Sequence, residues 1–318
     1  MSLDKMNKQD RAEALADICH QYYNEGKNQS DIAKEYNTTR FKISKYLQEA
    51  RNENIVSISI NTSKKRNSAI EKLLCEKYGL KQAVVINTQY LSYSETLWEL
   101  GRFGAYYLNH YINDTSTVGL MWGKTLQAAI EQLPRDRQTA INAIPLTGMA
   151  PTSRLSADNI SLVRNTAAAY SGKYHHIYAP LYTNDSNYSE NWQSDPLHEN
   201  VVKLSKAMDI VLTGLGGETS LPNKSEIWKP YVETGDTVSE SAIGSIFGRL
   251  IDKSGNIIDS SLNKKLIALD MTDILSASTR ICLVQGKHKI DMLKGVLAKN
   301  YINVLITDVN TALPIVYE

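Results

Sequence analysis

Residues 28–60, NQSDIAKEYNTTRFKISKYLQEARNENIVSISI, contain two short apolar stripes joined at one asparagine, and their reading decides the amino-terminal fold. Ser30 is placed to cap a short helix over SDIAKEY, whose inward face is Ile32, Ala33 and Tyr36. Asn37 follows as the turn residue, since asparagine enters the left-handed region more readily than most residues with a side chain. Thr38 or Thr39 then caps a further helix, running to Asn54, in which Ile43, Tyr46, Leu47 and Ala50 form one stripe. Upstream, Ala14, Leu15, Ile18, Tyr22 and Tyr23 recur at helical spacing from Asp10, and the pattern stops at Glu25-Gly26. Downstream, IVSISI alternates as a strand does. The spacing therefore predicts three helices, the last two joined by a tight turn.

Such a hairpin also occurs in ordinary cores, so spacing alone leaves two readings open. Charge separates them. Residues 39–51 carry Arg40, Lys42, Lys45 and Arg51 against Glu49, away from the apolar stripe. Thr39, Arg40 and Lys42 stand near the helix start, where hydroxyls, cations and free backbone amides bond phosphates or base edges.

The 318 residues, 42% of them hydrophobic, suit one large domain with a small appendage. With 35 basic and 34 acidic side chains the formal charge is +1, which excludes a polyelectrolyte that coats nucleic acid or membrane. Any DNA binding must come from a local patch. Cys19, Cys75 and Cys282 lie far apart, so neither a disulfide framework nor a paired-cysteine metal site is expected. No apolar run approaches bilayer length and MSLDKMNKQD is polar. A cytoplasmic protein is expected, with no membrane partner, no metal and no cofactor.

After NTSKKRNS, a polar linker, helices alternate with apolar strands, the pattern of an α/β domain. Helices are expected over residues 66–78, 92–112, 124–133 and 156–170, and from Leu197. Strands are expected at QAVVIN, STVGLMW, INAIPL, HHIYAPLY, DIVLTGLGG, KLIALD, RICLVQG and INVLITD, with a hairpin around DKSGN. Ligands in open parallel sheets sit beyond the carboxyl ends of strands. Four such loops are rich in glycine and polar residues: Trp122-Gly123-Lys124-Thr125, LTG at 146–148, TGLGG at 213–217 and QGKHK at 285–289. In the first, glycine lets a ligand approach the backbone, free amides at the helix start favour an anion, and Lys124 and Thr125 add a charge and a hydroxyl. GKT lacks the upstream glycine spacing of a nucleotide loop, which argues against ATP or GTP. A mere tight turn is the plainer alternative.

QSDIAKEYNTTRFKISKYLQEARNENIVSISI resembles the DNA-binding segment of the SorC family of sugar-responsive bacterial transcription regulators. The likeness rests on Ile32, Ala33, Thr39, Arg40, Ile43, Ser44, Lys45, Ala50, Arg51, Ile55 and Val56. Asn37 and Asn54, the mildest replacements for a left-handed glycine, stand where glycine is usual, and Phe41 stands where a small polar residue is usual, a departure that implies an operator of its own with contact to a thymine methyl. WGKTL, SADNI, YAPLY, DIVLTGLGG, IGSIFGRLIDKSGNII, QGKHKIDMLKGVL and YINVLITDVNTA resemble blocks of the same family's effector domain.

The resemblance implies a helix-turn-helix domain over residues 1–57 and a Rossmann-like effector-binding and oligomerisation domain over 58–318. The latter would be related to ribose-5-phosphate isomerase and glucosamine-6-phosphate deaminase and assembled as a tetramer. Together with the charge pattern it implies DNA contacts from Ser30, Thr39, Arg40, Phe41, Lys42, Ser44 and Lys45. Effector contacts would come from Gly123, Lys124, Thr125, Thr147, Gly148, Asn159, Gly214, Gly216, Gly217, Asp252 and Lys289. Members that grip phosphorylated sugars can carry a basic residue at the position of Thr147 and an acidic one at that of Ser245, so a sugar phosphate, a sugar and a polyol all stay open.

The reading that follows is a regulator of a carbohydrate-utilisation operon, without enzymatic activity, whose partners are operator DNA, a small carbohydrate-derived effector and further copies of itself. The alternative is a sugar-phosphate isomerase or deaminase carrying a DNA-binding module. It needs a positioned base, for which Asp252 and Asp308 are candidates by strand-end position alone. An architectural DNA binder without a ligand is a third reading, against which the glycine-rich strand ends speak. His175 and His176 fall in an expected strand, point to opposite faces and read as structural. Trp192 reads as a packing residue or as a lid over a sugar.

Overall fold

The computed structural model describes residues 6–53, 55–56, 66–135, 139–150, 158–217, 221, 231 and 241–317. The chain separates into two compact units, Met1–Ser63 and Lys64–Glu318. The boundary expected at 57/58, residues 57–60 of the strand expected over 55–60 and most of the polar linker lie outside the described residues.

The smaller unit is built from α1 (Lys8–Cys19, continued by a wider turn over His20–Asn24), α2 (Gln29–Glu35) and α3 (Arg40–Asn52). Leu15, Ile18, Ile32, Ala33, Ile43, Tyr46, Leu47 and Ala50 are buried together at the crossing of the three helices. The expected cap of α2 moves. Asn28, not Ser30, holds the extended backbone at the entry, and its Oδ1 accepts from the Ser30 and Asp31 amides at 3.0 Å each. Asn37 has φ 47, and Thr39 Oγ1 accepts from the Lys42 amide at 3.3 Å, so turn and second cap lie where the sequence places them. α3 ends at Asn52 rather than Asn54. The Ile55 and Val56 amides turn back to the Ala50 carbonyl at 2.9 and 3.3 Å, which bends these residues and packs both against the three-helix core. Arg11 ties α1 to α3 through Nε and Nη2, which donate to the two Glu49 carboxylate oxygens at 2.7 and 2.9 Å.

In the larger unit α4 (Ser68–Tyr78), β1 (Gln82–Ile86), α5 (Tyr93–Tyr111), β2 (Thr117–Leu120), α6 (Lys124–Ile130), β3 (Asn142–Pro145), α7 (Asn159–Ala169) and β4 (Lys173–Tyr174) follow in order. Then come α8 (Ser186–Asn191), α9 (Glu199–Ser205), β5 (Ile210–Thr213), β6 (Gly244–Ile246), β7 (Arg249–Ile251), β8 (Thr279–Val284) and β9 (Val304–Asp308). Helices Ile290–Ala298 and Val309–Tyr317 flank β9. Seven strands form a parallel sheet in the order β1-β9-β8-β5-β2-β3-β4. Every residue of β2, β5 and β9 is buried, as a parallel sheet covered by helices on both faces requires. From β2 the chain steps outward to β3 and β4, then returns to lay β5 on the other side of β2. The direction of winding therefore reverses between β2 and β5, the place where such sheets open a crevice. Among the described residues no helix is long and apolar enough to cross a membrane.

Two expected strands are not strands. In HHIYAPLY the ladder stops at Tyr174, before the histidines, and only Pro180 and Tyr182 make isolated bridges, to Met149 and Leu266. Proline has no amide to continue a ladder. KLIALD pairs only at Leu266 and Ala268, with Tyr182 and Thr147. The expected hairpin around DKSGN is present, with Ile251 bridging Ile257 antiparallel and the Asp252 amide donating to the Asn256 carbonyl at 3.0 Å, and a second turn precedes it. β6 and β7 pair antiparallel across Phe247 and Gly248, both left-handed (φ 50 and 82), as a two-residue turn between twisted strands demands.

Candidate functional site

Thr39, Arg40, Phe41, Lys42, Ser44 and Lys45 of α3 are exposed while Ile43, Tyr46 and Leu47 are buried, so the basic face stands clear of its own core. Phe41 is 79% exposed, which frees it for an apolar contact outside the unit. Ser30 is exposed on α2. The turn between the helices is held from behind, because the Tyr36 hydroxyl donates to the Asp17 carboxylate on α1. Burial first, and Asp17 second, push that tyrosine's pKa upward. A fixed backbone carrying open polar side chains is what reading a DNA groove requires.

In the larger unit the loops beyond β2, β5 and β8 meet at the switch point. Gly123 leaves β2 with φ 129, a conformation that favours glycine, and turns the chain into α6 with Lys124 exposed and Thr125 half-buried. A Cβ on Gly214 would lie 3.4 Å from Thr125 Oγ1, which places the β2 and β5 loops in contact. Lys289, beyond β8, donates from Nζ to the Leu215 carbonyl at 2.8 Å, and its Cε would lie 3.4 Å from a Cβ on Gly217. Burial lowers the Lys289 pKa, and complete burial pushes its neighbour Cys282 up to about 12. Gly216 and Ser245 exchange backbone hydrogen bonds at 3.0 and 2.9 Å, laying β6 along the β5 loop.

The β8 loop is braced from β9. Asp308 accepts from the Asn310 and Thr311 amides at 2.9 and 3.1 Å and from the Thr311 hydroxyl at 2.6 Å. Thr311 Oγ1 in turn accepts from the Gly286 amide at 2.9 Å. Asp308 is thus a bracket for the loop, with both oxygens engaged. Asp252 is engaged too, accepting from the Asn256 amide and Nδ2 at 2.9 Å each, chiefly the latter bond lowering its pKa. It closes its own turn.

At β3, Thr147 and Gly148 pack so closely on the next segment that a Cβ on Gly148 would lie 2.2 Å from the Pro180 carbonyl oxygen. Asn159, the first residue of α7, donates from Nδ2 to the Thr147 and Gly148 carbonyls at 3.3 and 2.8 Å. Its Oδ1 is buried and among the described residues has no partner, and neither polar atom of the buried Gln285 side chain has one there. A buried polar atom left unpaired costs about 1–3 kcal/mol. Two such amides on the strand-end loops therefore mark places where another molecule's atoms are expected. The unpaired hydroxyl of Thr139 precedes β3, at the opposite end of the sheet.

His175 and His176 lie past the end of β4. His175 Nε2 is 3.3 Å from Asn142 Oδ1, His176 stands between the rings of Tyr174 and Tyr178, and burial lowers both pKa values. Trp192 is 3% exposed and packs edge-on against His198, so it belongs to the core and is no lid. Sequence reasoning did not pick out Gln285 itself, although a polar residue directly after the apolar run ICLV was its signal.

A family model described as "Putative sugar-binding domain" matches residues 62–317. The chain is 26% identical to the sorbitol operon regulator of Klebsiella pneumoniae, across 96% of this chain and 98% of the relative. It is 25% identical to the deoxyribonucleoside regulator of Bacillus subtilis, across 93% and 95%. The crystal structure of the full-length Klebsiella regulator SorC matches with a TM-score of 0.69 at 24% identity, covering 96% of this chain and 99% of that one. A transcriptional regulator from Streptococcus pneumoniae gives 0.72 at 21% identity, covering 78% and 95%. With the family model spanning nearly all of its larger unit, the chain belongs to the sugar-binding-domain family and is a member of the SorC family of transcription regulators.

Proposed function

We propose that the chain is a DNA-binding regulator of a carbohydrate-utilisation operon, with operator affinity set by a small carbohydrate-derived effector. The observation that carries this reading is the pairing, in one chain, of a capped and exposed α3 with a domain of the sugar-binding family. Relatives aligned along nearly their whole length are regulators named for a sorbitol operon and for deoxyribonucleosides, which supports a sugar, sugar phosphate or polyol here. Turnover forms no part of the reading. Asp252 and Asp308, the carboxylates with the best position for a base, are each committed to holding a loop.

Arg40, Phe41, Lys42, Ser44 and Lys45 face the DNA in this reading, with Thr39 and Ser30 at the flanks. The effector lies over Gly123 to Thr125, Gly214 to Gly217 and Lys289, and reaches Thr147, Gly148 and Asn159. Asp252 acts there only by shaping its turn. Two-fold operators need paired readers, so the working species in the cytoplasm holds at least two copies, and a tetramer is expected. Selection from a randomised duplex library, followed by gel-shift titration with sugars, sugar phosphates and polyols, tests the function. Operator affinity should move about 5–150-fold with the effector. A chain that selects no sequence, or whose affinity ignores the whole panel, is not a ligand-controlled regulator. Steady product formation would favour the isomerase.

A further inference from the structure

The α7 end of the site has one polarity. Asn159 Nδ2 is committed to two carbonyls, which fixes the orientation of the amide and leaves Oδ1 as a bare acceptor on a residue 3% exposed. The preceding residue, Asp158, sets a carboxylate at the helix start, where its Oδ1 accepts from the Ser161 amide at 2.6 Å. A phosphate brings only acceptor oxygens and negative charge, and both are unwelcome here. A hydroxyl donates.

The second unpaired group points the same way. Gln285, 7% exposed, leaves both a donor and an acceptor without partners, and a hydroxyl is donor and acceptor in one atom. Gln285 follows β8 and Asn159 covers the end of β3, with β5 and β2 between them. At ~4.8 Å per strand the span is about 14 Å, beyond a single small group but within reach of a chain bearing several hydroxyls. The cations lie away from α7, with Lys124 beyond β2 and Lys289 beyond β8 in the same loop as Gln285.

We propose that the effector is a polyhydroxylated molecule that presents an uncharged hydroxyl to Asn159 and a second to Gln285, and turns any anionic group it carries toward Lys124 and Lys289. The inference rests on the strand-end loops being the effector site. Full-length protein is titrated with D-sorbitol, D-glucose 6-phosphate, D-ribose 5-phosphate and inorganic phosphate, following melting temperature and heat of binding. Three variants accompany it: Asp158→Asn, which keeps a competent helix cap, Gln285→Leu and Lys289→Met.

A hydroxyl-bearing probe should raise the melting temperature of the wild type. Asp158→Asn should leave its affinity within about twofold, since no anion sits there, whereas Gln285→Leu should weaken it about tenfold or more. Gln285→Leu should also raise the melting temperature without any probe, because leucine buries nothing unpaired. Tightening of about fivefold or more in Asp158→Asn would put an anion at α7 and overturn the proposal. A lower melting temperature of unliganded Gln285→Leu would overturn it too, by showing that the amide has partners. A probe that binds yet ignores all three variants would bind elsewhere, and that result would remove the strand-end site itself.

Discussion

Asn37 holds its backbone at φ 47 between α2 and α3, a conformation that costs most side chains roughly 1–2 kcal/mol. Asn37→Ala should therefore lower the stability of the amino-terminal unit by about 1 kcal/mol, while Asn37→Gly should stay within about 0.5 kcal/mol. Urea denaturation reads both, and equal losses would refute the left-handed turn. Asn37 and Thr39 were readable in the sequence because few residue types serve those positions. Ser30 was not, because serine and asparagine cap equally well and only the extended backbone at Asn28 shows which one does. At Asp252 the place after a strand is visible in the sequence, but the bonds to Asn256 are not. His175 and His176 carry a pH dependence. Burial, the first cause at each, sets their folded pKa values below the ordinary 6.5. The unfolded chain then takes up protons first as pH falls, so stability held above pH 6.5 drains away below it, down to the folded values. Replacing both with glutamine should flatten this decline in melts at about pH 7 and pH 5. An unchanged slope would show that the decline has another source.

α3 divides its two tasks by face, so its variants should divide too. Arg40→Ala should cost about 1–3 kcal/mol of operator binding with relaxed specificity if it reads a base, whereas Lys42→Ala should weaken all sequences alike. Phe41→Ala should leave the melting temperature unchanged, the ring being outside the core, and shift sequence preference in a library selection. A loss of stability would instead make Phe41 a packing residue. The helices and central strands were readable because burial on one stripe, or on both faces, leaves a clear period. HHIYAPLY and KLIALD failed because apolar alternation reports burial and not a hydrogen-bonded ladder. Ile177, Ala179 and Leu181 of the first and Leu266 to Leu269 of the second are buried, and single bridges near Thr147 and Tyr182 stand in place of a sheet.

Across both units, sensing and reading are joined by one thermodynamic cycle. If effector changes operator affinity by some factor, operator DNA must change effector affinity by the same factor. Calorimetric titration of a binding probe with and without operator should return that factor, and equal affinities would end the sensor reading. Lys124 is exposed, so Lys124→Ala should fold normally, bind operator, and lose its response to the effector. The two-unit layout and the α/β class were open to sequence reasoning. The strand order was not, because pairing between distant segments leaves no local mark.

That order has a consequence for synthesis. Within the sheet β1, among the first strands made, pairs with β9 alone, and β9 also completes the pairing of β8. The sheet cannot close until Asp308 has left the ribosome, whereas among the described residues the cluster around Ile43 uses nothing beyond Val56. A growing chain therefore owns a folded reader long before it owns a sensor. A message cut short of codon 304 should yield a product whose amino-terminal helices are complete and whose sheet lacks the strand that joins β1 to β8.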